Sequence, residues 1–103
     1  MNFFKLTQGE KTNTMKAKSI KYVVAWHYAT GGGFDWYHTK EAQNEAFRVE
    51  KNNADAFRND EWQAYKFTVE VELDAYYDEI TRYIDERLDE FCADVNTEVY
   101  PFD

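Results

Sequence analysis

Trp62-Gln63-Ala64-Tyr65-Lys66-Phe67-Thr68-Val69-Glu70-Val71-Glu72-Leu73 decides the architecture. Its odd positions, Tyr65, Phe67, Val69, Val71 and Leu73, are apolar, and its even positions include Lys66, Thr68, Glu70 and Glu72. Successive side chains of a strand point to opposite faces, so this alternation predicts one face on a core and the other in water. That pattern belongs to an antiparallel sheet covered on one side.

Upstream, Ile20 to Tyr28 is rich in β-branched and aromatic residues (Tyr22, Val23, Val24, Trp26) and reads as a second strand. Gly31-Gly32-Gly33 tolerates a tight reversal, and Phe34 to Tyr37 follows as the returning strand of a hairpin. Thr39 is placed to cap a helix from Lys40 to about Lys51, with Ala42, Ala46, Phe47 and Val49 on one side and Asn52-Asn53 at its end. Downstream, Leu73, Tyr77, Ile80, Ile84, Leu88, Phe91 and Val95 recur at helical spacing, which predicts a helix from about Ala75 to Asp94 capped by Asp74. The order is β-β-α-β-α, with a further strand expected around Phe3 to Leu6. The expectation is a small two-layer α+β sandwich: an antiparallel sheet of three to four strands with two helices on one face. Residues 1–103 read as a single domain, with 1–19 as an irregular arm.

The 103 residues suffice for one hydrophobic core. Eight Phe, eight Tyr and three Trp are its expected material, since each large aromatic buries about 150–250 Å². No apolar run approaches the roughly 20 residues of a membrane helix, and the N-terminus lacks the pattern of a signal peptide. Cys92 is the only cysteine, so no intramolecular disulfide is expected and a cytoplasmic location is the simplest.

The net charge of −8 is unevenly spread. Residues 1–69 carry ten Lys/Arg and eight Asp/Glu, a balance of +2, whereas residues 70–103 carry two and twelve, a balance of −10. At about 100° per residue, Asp78, Asp85, Glu86 and Asp89 gather opposite the apolar stripe of the last helix, flanked by Asp74, Glu79, Glu90 and Asp94. With a rise of about 1.5 Å per residue, Asp85 and Asp89 stand about 6 Å apart along the axis, broadly the spacing of phosphates on one DNA strand. Like charges three and four residues apart cost a few tenths of a kcal/mol each, and a face needed only for solubility more often alternates Glu with Lys. The sign excludes direct binding of nucleic acid and attraction to anionic lipid. It points to a basic protein surface as partner. The competing reading is a solvated helix face.

Trp36 and Tyr37 in the aromatic hairpin are the second candidate surface, because Trp and Tyr dominate protein-binding hot spots; core packing is the alternative for these rings. The glycine run lacks the strand–loop–helix context and the Lys or Ser/Thr of a phosphate-binding loop. His27, His38 and Asp35 have the ligand types for a metal, but such a trio arises readily by chance. Neighbouring carboxylates disfavour a thiolate at Cys92, and Ser19 is the only serine. No catalytic residue, metal ligand or cofactor is assigned, and an enzyme is not expected.

The size, acidity, aromatic richness and acidic helix from Asp74 to Asp94 resemble small phage-encoded inhibitors of host defence, of the anti-restriction and anti-CRISPR type. The resemblance implies an inhibitor that occupies the nucleic-acid-binding groove of a host complex, as a mimic of DNA, in the host cytoplasm. The expected binding residues are Asp74, Asp78, Asp85, Glu86, Asp89 and Glu90, with Trp36 and Tyr37. The alternative is an interaction or assembly module that uses the aromatic hairpin, including a homodimer through the sheet's open edge or face.

Overall fold

The computed structural model describes residues 17–101. Four strands, β1 (Lys18–Tyr28), β2 (Gly31–Tyr37), β3 (Gln63–Glu72) and β4 (Glu98–Tyr100), form one antiparallel sheet in the order β2-β1-β3-β4. Helix α1 (Lys40–Ala56) connects β2 to β3, and α2 (Tyr77–Glu86) and α3 (Leu88–Ala93) connect β3 to β4. The chain is a small α+β fold on an antiparallel sheet. Its fourth strand is β4; the strand expected around Phe3 to Leu6 lies outside the described residues. The arm expected through residue 19 ends earlier, because Lys18 and Ser19 already pair with Glu72 and Val71.

The helices do not share one face of the sheet as expected. Val23, Ala25, Phe67, Val69 and Val71 pack with Ile80 and Ile84 of α2, and Leu88 and Phe91 join them. Val24 and Ala64 pack with Phe47 of α1 on the opposite face. Adjacent residues of a strand point to opposite faces. Val23 and Val24, both fully buried, therefore place one helical layer on each side of β1. The even positions of β3 divide accordingly: Ala64 is buried under α1, while Thr68, Glu70 and Glu72 are exposed.

Thr39 caps α1 as its sequence suggests, its hydroxyl accepting from the Ala42 N–H at 3.1 Å. The buried residues of α1 are Gln43, Phe47 and Ala54, not the expected Ala42 and Val49. Gln43 is 3% exposed and donates its amide to the carbonyls of Val23 (3.0 Å) and Phe67 (2.8 Å), paired residues of β1 and β3. Burial of Ala54 carries the helix past Asn52-Asn53 to Ala56.

The glycines lie within β2, and Ala29-Thr30 make the turn. The reason for glycine is close approach. A Cβ on Gly33 would stand 2.8 Å from Cζ2 of the Trp26 ring, and one on Gly32 would stand 2.5 Å from the Trp26 carbonyl oxygen.

Candidate binding site

The helix that carries the acidic residues is interrupted. Arg87, at φ −120° and ψ 17°, ends α2 by donating its N–H to the Ile84 carbonyl at 3.2 Å. Its guanidinium covers the Tyr83 ring at 4.6 Å. The break lets Phe91 stack on Phe67, with ring centroids 5.2 Å apart. The start also differs from expectation. Tyr76 precedes the helix, its N–H bonded to the Glu79 carboxylate at 2.8 Å, and Asp74 stands exposed in the preceding turn without capping it. Leu73 and Val95 belong to no apolar stripe, being 67% and 93% exposed.

These changes redistribute the carboxylates. Asp78 and Asp85 lie within about 20° of each other around α2, whereas Glu86 lies about 100° further round and faces Arg87 Nη1 at 3.9 Å. Asp89 lies in the first turn of α3. Asp85 and Asp89 line a groove of about 660 Å³ between the helices and the hairpin; Asp74, Asp78, Glu86 and Glu90 are exposed outside it. Among the described residues no ion pair engages Asp78, Asp85 or Asp89.

The other side of the groove is β2, from Gly32 to Trp36. Trp36 is half-buried. Its indole N–H donates to Thr81 Oγ1 at 3.0 Å and its ring meets Tyr77 at 5.1 Å. Tyr77 is 69% exposed, so the rim combines an aromatic ring with carboxylates. Tyr37 is not part of this surface. It faces α1 and packs with Val24 and Phe47. Burial, with Asp35 and Glu50 nearby, pushes its phenol pKa up. Of the expected residues, the structure therefore brings together Trp36, Asp85 and Asp89. Sequence reasoning missed Thr81 and the rim position of Tyr77, which spacing alone assigns to the apolar stripe.

Cys92 also lines the groove, half-buried. Burial first, and then Asp89, push its thiol pKa up to about 11, which makes it a poor nucleophile. His27 pairs with Gly32 near the hairpin tip, whereas His38 lies beyond the Tyr22–Tyr37 pair at the other end. At about 3.3 Å per residue the two histidines stand roughly 20 Å apart along the strands. His38 instead accepts from the Lys21 ammonium at 3.0 Å through Nδ1. Among the described residues no group of three or more His, Cys, Asp or Glu could hold a metal ion. Nor is any helix among them long and apolar enough to cross a membrane.

The chain matches no family model, no curated protein and no solved structure.

Proposed function

We propose that the protein acts by binding, and that the carboxylate-bearing side of α2–α3 engages a basic, nucleic-acid-binding surface of another protein. The observation that carries this reading is the set Asp78, Asp85 and Asp89, exposed and without an ion pair among the described residues. Elsewhere Arg48 pairs with Glu45, and Lys66 with Glu98 at 3.5 Å. A surface of this kind steers a cationic partner at long range and gives an affinity that falls with salt. The break at Arg87 bends the row of carboxylates, so the fit to a groove shaped for nucleic acid is one of charge density and not of a straight rod. In its specific form the reading is the one the resemblance implies: an inhibitor that occupies the nucleic-acid groove of a host-defence complex as a mimic of DNA.

The test is capture from a lysate of the source cell, or of its host, with the wild-type chain and with Asp78→Lys/Asp85→Lys/Asp89→Lys as bait. The wild type should retain nucleic-acid-binding proteins at low salt and release them at high salt. The variant, with native circular dichroism, should retain none. Equal capture by both baits would overturn the reading.

A further inference from the structure

Among the described residues the edge strand β2 pairs only with β1, and its seven residues contain one charge, Asp35, and neither Lys nor Pro as guards of the sheet edge. Among the described residues no hydrogen bond reaches its outer side. The opposite edge, β4, has three residues. The α2–α3 face of β2 borders the groove, since Gly32 to Trp36 form part of its lining beside β1 residues. Phe34 and Trp36 pack on the α2–α3 side of the sheet. A strand laid along β2 would stand about 4.8 Å from it and send every second side chain to that same side. There those side chains would meet the helical wall that carries Thr81, Asp85 and Asp89.

We propose that the open edge of β2 takes an extended segment of a partner protein by strand addition, with Lys or Arg at the alternate positions that face Asp85 and Asp89. This deepens the binding reading above and rests on it. Main-chain hydrogen bonds to β2 supply affinity that is independent of sequence, and the groove selects the alternate side chains. Charge complementarity chooses the occupant. Two carboxylates without an ion pair among the described residues call for cations on the incoming strand. A second copy of this chain, at −8, would bring like charge and the aromatic rings of its own β2.

The test uses two capped eight-residue peptides of equal charge, one alternating Arg and Thr, the other with its four Arg contiguous. Titration at low salt should show the alternating peptide binding about tenfold more tightly. At saturation, hydrogen exchange of the β2 amides should slow about tenfold, because strand addition bonds them. Asp85→Lys/Asp89→Lys should weaken the alternating peptide by about tenfold or more. Equal affinity for both peptides with unprotected β2 amides would overturn strand addition and leave the acidic-face reading standing. Failure of both peptides to bind would also overturn it, and the capture experiment above would still judge that reading separately. Protection of β2 that grows with protein concentration in the absence of peptide, with a dimer in sedimentation, would assign the edge to a second copy and overturn the proposal.

Discussion

The Trp36 indole donates to the Thr81 hydroxyl at 3.0 Å, across 45 residues of sequence, and so ties the edge strand β2 to helix α2. Replacing Thr81 by Val keeps the volume and removes the acceptor. The expected cost is about 0.5–1.5 kcal/mol, because a half-buried donor loses its partner. Urea unfolding should show a lower midpoint with an unchanged slope, and Thr81→Ser should restore most of the difference. An unchanged midpoint for Thr81→Val would mean that water replaces the hydroxyl.

The glycines of β2 are predicted to differ in what they tolerate. Alanine at Gly32 or Gly33 should cost about 1–3 kcal/mol, since its Cβ would press on the Trp26 backbone or ring at 2.5 and 2.8 Å. At Gly31 the nearest atom is the Tyr28 hydroxyl at 3.2 Å, the end of a side chain that can move, and the cost should be smaller. Thermal unfolding of the three variants measures the order, and an equal loss at all three would contradict it.

Cys92 should react slowly in the native protein. Its pKa rises from 9.0 to about 11, so at pH 8 the thiolate fraction falls about a hundredfold relative to the unfolded chain. A thiol reagent should label native protein at least that much more slowly than denatured protein, and Asp89→Asn should narrow the gap. The same shift has a sign for stability. Below pH 9 the thiol is protonated in both states; as pH rises from 9 towards 11 the unfolded chain ionises first, and stability declines. Equal labelling of native and denatured protein would contradict this.

The acidic face should make stability rise with salt. Six carboxylates and two arginines lie between Tyr77 and Ala93, and at about 0.15 M the screening length is about 8 Å, enough to weaken repulsion along the helices. Melting temperature should therefore increase between about 10 mM and 150 mM sodium chloride. Asp78→Lys/Asp85→Lys/Asp89→Lys should be at least as stable as wild type at low salt and nearly insensitive to added salt. A wild type without salt dependence would show that the repulsion is already screened by water.

The fold was legible where local rules act without competition. The alternation of β3 and the Thr39 cap both appear as their residues indicate. The layer order was not read, although Val23-Val24-Ala25 carries the signal: three consecutive buried residues in a strand require cover on both faces. Gln43 hid the true face of α1, because it is polar and its burial depends on two carbonyls from distant strands. The glycines resembled a turn, since a need for space against Trp26 leaves no mark in their own neighbourhood. No Gly or Pro announces the break at Arg87, which accompanies the stacking of Phe91 on the distant Phe67. The acidic excess was legible by counting. The groove was not, because it joins β2 to α2–α3 through contacts made only on folding.

The Trp36 ring lines the groove, whereas Trp26 shares the α1 side of the sheet with Val24 and Ala64, and Trp62 stacks on Tyr28 with ring centroids 4.5 Å apart. Indole emission responds to hydration, to hydrogen bonding and to nearby charge. The molecule therefore carries its own optical reporter at the place where a partner would settle. With Trp26 and Trp62 replaced by Phe, the remaining fluorescence comes from Trp36 in that groove, and occupancy can be followed in unlabelled protein.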